Sequence, residues 1–285
     1  MRTMDALFKH NTEREAPTFA NINMLGKCNA KCYFCLGEDI PEHLAGRSDH
    51  LVHYSEWPKL EKFLEQVKAV GIHKVYLTGQ NTDALMCKHL ASLIYHVQEV
   101  HCLDMGLRTN GIKALSHLQE INTCRLETGY SIHSLDRHTN RRIMCTRLPK
   151  WSEILPKTER ARISIVVNRY NIGEFYDLVK FVGQFPNVQH VQARRVSTET
   201  RRDELERDLR IYEALYADVQ KRFPQVSEFY GAPIHDIDGV KVTFWRTVKT
   251  KIGSLNYFTD GTISGDYFVV KGYTDAIGKP LPVVY

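Results

Sequence analysis

The chain has 285 residues, 43% hydrophobic and 25% charged, with a net charge of +5 when its 13 His are neutral. These proportions exclude a disordered, collagenous or low-complexity chain, and the mild positive charge suits an anionic small substrate or a weak nucleic-acid contact without demanding either. No apolar run approaches the roughly 20 residues of a membrane-spanning helix, and Met1-Arg-Thr-Met-Asp opens no apolar leader, so the expected compartment is the cytoplasm.

Strands and helices alternate along the chain. Residues 18–25 alternate as a strand and deliver a loop holding three cysteines. Ser55 is the expected N-cap of a helix bearing Leu60, Phe63, Leu64, Val67 and Val70, which Gly71 stops. Residues 74–78 form a second strand ending at Gly79, and Leu90, Leu93, Ile94 and Val97 mark a second helix. A third strand at 105–108 runs into the turn signal Thr109-Asn110-Gly111. The fourth strand is expected at 128–132 with a helix near 136–144, the fifth at 162–167, and the sixth at 188–193. Phe175, Leu178, Val179 and Val182 make an amphipathic helix between the last two. A long helix bearing Leu205, Leu209, Tyr212, Leu215, Val219 and Phe223 follows the sixth.

Six strand–helix units predict parallel strands with right-handed crossovers and a site at their carboxyl ends. Beyond residue 225 the runs 240–245, 255–258 and 267–270 predict a small antiparallel extension. The expected organisation is an N-terminal tail (1–17), a core (18–223) and a C-terminal extension (224–285) covering the mouth of the core.

Seven cysteines are unevenly placed, and an odd count without a leader argues against a disulfide framework. Cys87, Cys102, Cys124 and Cys145 stand singly and read as small hydrophobes. Cys28, Cys32 and Cys35 fall within eight residues and read as a metal site. Structural zinc calls for four protein ligands, yet no second knuckle follows, and His43, His50 and His53 lack a finger-like spacing. An iron–sulfur cluster with four irons has four corners to ligate, and three thiolates leave one iron open.

C-x3-C-x2-C, with the aromatic Phe34 just before Cys35, resembles the signature of the radical S-adenosylmethionine (radical SAM) superfamily. The resemblance spans roughly residues 18–223 and implies a partial (β/α)6 TIM-like barrel. It implies a [4Fe-4S] cluster on Cys28, Cys32 and Cys35 whose open iron holds SAM. One electron then yields a 5′-deoxyadenosyl radical that removes hydrogen from substrate, in an oxygen-sensitive enzyme served by a donor such as flavodoxin or ferredoxin. Phe34 resembles the position that meets the adenine. Thr78-Gly79-Gln80-Asn81-Thr82-Asp83 takes the place of the family's Gly-Gly-Glu-Pro segment, with Gln80 and Asn81 departing from it and Asp83 able to supply the missing charge. By the same resemblance Asn110, Ser131, Arg142 and Asn168 are expected to contact SAM, and Val191 or Gln192 to border the adenine. Asn110 and Asn168 are equally turn formers, and Arg142 equally suits a solvated helix face.

No cysteine follows Cys145, which favours a single cluster over the extra clusters of peptide-maturing relatives. Arg194 and Arg195, with Arg201 and Arg202 beyond, are candidate anion ligands; a solvated loop is the alternative. Trp245, with Arg246 and Tyr257, could close the mouth by stacking, or belong to the core. Cys145, Tyr130 and Tyr257 are candidate hydrogen donors to a product radical. The expected substrate is a polar, anionic, nucleotide-like small molecule, and residues 166–171 look similar to a segment of viperin-type enzymes. The alternatives are the same chemistry on a peptide or a modified base in DNA or tRNA, and a non-catalytic zinc- or cluster-stabilised binding protein.

Overall fold

Short β-branched runs separated by amphipathic helices give one sheet. The computed structural model describes residues 17–196, 201–229, 231–245 and 253–265. Strands β1 (Pro17–Met24), β2 (Lys74–Gly79), β3 (Asp104–Thr109), β4 (Thr128–Ser131), β5 (Ala161–Val166) and β6 (Val188–Arg194) lie side by side in chain order, every pair parallel. Helices Leu60–Ala69, Leu90–Tyr95, Leu118–Thr123, Arg137–Met144 and Phe175–Val182 lie in the crossovers. This is the expected partial barrel, and it stays open.

The C-terminal strands divide between its two edges. β7 (Gln225–Phe229), β8 (Ala232–Ile237) and β9 (Val240–Trp245) form an antiparallel meander whose last strand pairs in parallel with β6. β10 (Gly253–Phe258) joins the opposite edge, parallel to β1, with β11 (Ile263–Ser264) antiparallel outside it. The described part of the extension thus flanks the sheet. The expected strand at 267–270, Arg246 and residues 1–16 lie outside the described residues. No helix among the described residues is long and apolar enough to cross a membrane.

One cap differs from expectation. Ser55 lies in a 3-10 turn, Tyr54–Glu56, where its N–H donates to His53 Nδ1, and the helix starts after Lys59 at φ 63°. Pro58 disfavours a helical Trp57, which is extended, so the helix does not reach back to Ser55.

Strand parity sorts the layers. Ala20, Ile22 and Met24 face the apolar core together with Phe63, Leu64 and Val67 of the first long helix. The alternate residues Asn21 and Asn23 are wholly buried and polar, so they must find partners inside the barrel. Asn21 Nδ2 donates to Asn256 Oδ1 at 2.8 Å, and Asn23 Nδ2 donates to the Tyr257 carbonyl at 3.3 Å. Gln80 Nε2 donates to Asn23 Oδ1 at 3.2 Å. These bonds sew β10 to β1 and to the end of β2.

Replacing Asn256 by Leu strands the Asn21 amide. Denaturant unfolding is expected to show a loss of about 1–3 kcal/mol, most of it recovered when Asn21→Leu is added. Additive losses would contradict a shared bond.

Candidate active site

The cysteine loop follows β1 and is held from two sides. On one side the Gly26 N–H donates to Asn81 Oδ1 (2.9 Å), Thr82 Oγ1 donates to the Lys27 carbonyl (3.1 Å) and the Gln80 N–H donates to the Met24 carbonyl (2.9 Å). On the other, the Lys31 and Tyr33 N–H groups donate to the carbonyls of Met144 and Ile143 at the end of helix Arg137–Met144. Arg201 completes the frame. Its guanidinium donates to the Tyr33 carbonyl (2.7 Å), the Cys35 carbonyl (2.6 Å) and Asp39 Oδ1 (2.8 Å).

So held, Cys28, Cys32 and Cys35 line one cavity of about 250 Å³ at the carboxyl ends of the strands. Burial pushes the Cys28 thiol up to about 11 and also raises Cys32 and Cys35. Mutual repulsion adds to the rise at Cys28 and Cys32. Three thiolates are therefore stable here only beside a cation, and ligated metal deprotonates a thiol outright. Two backbone donors already face sulfur, the Ala30 N–H toward Cys28 Sγ (3.4 Å) and the Gly37 N–H toward Cys35 Sγ (3.3 Å). The described lining of the cavity holds three thiols and no fourth. The donor set fits three corners of a [4Fe-4S] cluster and leaves the fourth without a cysteine.

Phe34, Thr78, Gly79, Gln80, Asp83, Asn110, Ser131, Arg194 and Arg195 line the same cavity. Gly79 is required by the turn, since a Cβ there would run into the Thr82 carbonyl. Asp83 is fully committed to the protein. It accepts from Thr109 Oγ1 (2.8 Å), the Asn110 N–H (2.6 Å) and the Leu85 N–H (3.0 Å), and burial raises its pKa. Asp83 thereby fixes Asn110, whose Nδ2 donates to Asn29 Oδ1 (2.7 Å) and lies 3.8 Å from Cys28 Sγ.

Other sequence-selected residues lie elsewhere. Asn81 is bonded to the Gly26 N–H. The exposed Arg142 stacks over the Tyr170 ring at 4.2 Å. Asn168 shapes the turn after β5, accepting from the Tyr170 N–H (2.9 Å). Val191 belongs to the apolar core, and Gln192 Oε1 accepts from Arg162. Trp245 packs on Phe229, with ring centroids 5.9 Å apart. Tyr130 is wholly buried and bonded to Thr158 Oγ1, and the equally buried Tyr257 donates to the Pro58 carbonyl. Cys145 is exposed at the end of its helix and lines a neighbouring cavity.

Thr109, of the turn signal Thr109-Asn110-Gly111, lines the cavity too, as do Arg108, His133 and Ser164, which the sequence did not single out. Parity was the available signal, because His133 lies two residues beyond Ser131. The Val166 N–H donates to His133 Nδ1 (3.2 Å), which puts the ring proton on Nε2. Burial, helped by Arg194, takes the His133 pKa down to about 3, so the ring is neutral at neutral pH.

Two outcomes follow. Arg201→Ala should retain iron roughly 10-fold or more weakly after reconstitution and desalting, while Arg195→Ala retains it normally; equal retention would contradict the clamp. The unfolded chain protonates His133 near its ordinary 6.5, well before the folded protein does. The neutral ring's contribution is thus full above about pH 6.5 and is lost as pH falls toward 3. A His133→Asn variant should lose stability less steeply over that window, and an unchanged slope would contradict the assignment.

No family model matches the chain. GTP 3′,8-cyclase from Rhizobium leguminosarum bv. trifolii (strain WSM2304) is 23% identical over 169 residues, covering 57% of this chain and 46% of that protein. The chain thus spans about half the length of this curated relative. Streptococcus suis SuiB bound to S-adenosylmethionine superposes with a TM-score of 0.61 at 16% identity, covering 92% of this chain and 63% of that one. SuiB bound to its precursor peptide SuiA gives a TM-score of 0.60 at 16% identity, covering 92% and 62%. The C-x3-C-x2-C loop set after the first strand of an open parallel barrel and the likeness to this relative support the resemblance to the radical SAM superfamily, and the likeness to SuiB is one of fold.

Proposed function

We propose that the chain is a radical SAM enzyme that removes hydrogen from a polar, anionic, nucleotide-like small molecule held in the barrel. Bound at Cys28, Cys32 and Cys35, a [4Fe-4S] cluster would offer SAM an open iron and one electron, converting it to methionine and a 5′-deoxyadenosyl radical. The observation that carries the reading is the single cavity shared by the three thiols and the ends of β2, β3 and β4.

The chain's own groups divide the remaining work. Thr78, Gly79 and Gln80 form the wall beside the cysteine loop, where the amino and carboxylate ends of SAM would lie. Ser131 offers a hydroxyl to its ribose or carboxylate, and the Asn110 amide faces Cys28. His133, neutral and protonated on Nε2, offers a donor without adding charge. Phe34, Met144 and Val196 supply apolar wall, which keeps water away from a radical. A small protein donor such as flavodoxin or ferredoxin would deliver the electron.

Reconstitution without oxygen, followed by SAM and dithionite, should release 5′-deoxyadenosine from the wild type and none from Cys32→Ala. Absence of product from a wild-type protein carrying about four irons and bound SAM would overturn the reading. Release accelerated by a peptide or nucleic acid, and by no small anion, would transfer the chemistry to a macromolecule.

A further inference from the structure

The first two crossovers carry another set of metal-ligating side chains, none of which lines the cavity of the cysteine loop. Glu61 stands in the first turn of helix Leu60–Ala69, between β1 and β2. His96 and His101 follow helix Leu90–Tyr95, between β2 and β3, where the chain winds as a π turn, His96–Val100. That turn brings the two histidines together. Five residues are about 1.4 turns of an α-helix, which would set the imidazoles on different sides. In the wider turn the His101 N–H donates to the His96 carbonyl at 3.1 Å, and the two rings meet edge-on with centroids 4.8 Å apart.

Both imidazoles face one carboxylate. His96 Nε2 lies 2.7 Å from Glu61 Oε1, and His101 Nε2 lies 2.9 Å from Glu61 Oε2. The three ligand atoms all fall within 4.8 Å of one another. Their supports are fixed. Tyr54 stacks on the His96 ring, with centroids 4.8 Å apart. Gln98 pins the π turn, donating to the Thr123 carbonyl (3.1 Å) and accepting from the Arg125 N–H (2.8 Å). The histidine side chains are 15% and 11% exposed, whereas that of Glu61 is 58% exposed, which leaves a way in from solvent. Cys102, next in the chain, turns its thiol toward the Glu99 carbonyl instead.

Two imidazoles and a carboxylate are a three-ligand set that zinc takes with its fourth position open to water. Tetrahedral bonds of roughly 2.0–2.2 Å would set the ligand atoms about 3.3 Å apart. The ion therefore enters once Glu61 backs away from each ring by about half an ångström, which a long exposed side chain allows. Each imidazole then carries its proton on Nδ1, freeing the Nε2 lone pair. Magnesium, which is held by oxygen ligands, does not match this set.

We propose that Glu61, His96 and His101 form a site for a zinc-type divalent ion that ties the first two crossover helices together. The site is separate from the three thiols, and it stands whether or not they hold a cluster.

The test uses the full chain carrying Cys28→Ser, Cys32→Ser and Cys35→Ser, so that zinc cannot settle on those thiols. Equilibrium dialysis against zinc, with magnesium in excess, should find an ion that His96→Gln and Glu61→Gln each bind at least tenfold more weakly. A His53→Gln variant, altered at a neighbouring histidine, should bind it as the parent does. Thermal unfolding should show Tm rising with zinc in the parent and far less in His96→Gln. Glu61→Gln keeps an acceptor for the rings at an exposed position, so it decides the matter if His96→Gln fails to fold. No zinc held by the parent, zinc held equally by both variants, or equal competition by magnesium overturns the site. Neither SAM nor a cluster enters the readout, so failure here and failure of the radical reading are separable.

Discussion

The Arg201 guanidinium ties the cysteine loop to a distant part of the chain, and the geometry of the site depends on that tie. It grips two carbonyls of the cysteine loop and the Asp39 carboxylate from a point more than 160 residues further along the chain. A loop bearing three thiols in eight residues has little regular structure of its own, since only short 3-10 turns and the four-residue helix Glu42–Ala45 follow it before the helix Leu60–Ala69. Its shape is imposed by Arg201, by the end of helix Arg137–Met144 and by the turn after β2. Five donors in a rigid fork let one arginine fix several acceptors together, which a lysine cannot do. The ion pair with Asp39 is largely buried, so it is weakly screened and its geometry is strongly defined.

The second determinant is the polar interior. Ordinary parallel strands are apolar on both faces, whereas here one face carries Asn, Gln, Ser and Arg. Near β1 those groups bond to one another and bind β10 to the barrel. Toward β3, β5 and β6 the same face carries Arg108, Arg162 and Arg194, of which Arg108 and Arg194 line the cavity. The polar face thus ties β10 to the barrel on one side and lines the cavity below the cysteine loop on the other.

The six-strand core was legible because the strands are short runs alternating with amphipathic helical spacing, several ended by a turn signal, and the cysteine spacing singled out the loop. Several site residues escaped for a definable reason. Arg108 and Ser164 sit in Met105-Gly-Leu-Arg108 and Ala161-Arg-Ile-Ser164, where a polar residue alternating with apolar ones reads as a solvent face. A barrel reverses that meaning, because the alternate face turns inward. Tyr130 and Tyr257 drew attention as redox-capable phenols, yet each lies in the core with its hydroxyl bonded to a neighbour. Arg201 read as an anion ligand because sequence shows its charge and not the backbone carbonyls it meets. The course of β10 to the edge beside β1 has no local signal, since it depends on the match between Asn21 and Asn256.

We propose that Cys28, Cys32 and Cys35 would fix a cluster whose fourth corner is left for SAM. Electron–nuclear double resonance of the reduced, reconstituted protein with SAM labelled with nitrogen-15 at its amino group tests this most directly. A hyperfine coupling of the size expected for nitrogen bound to iron is the predicted result. A cluster spectrum that SAM leaves unchanged, without such coupling, would contradict it.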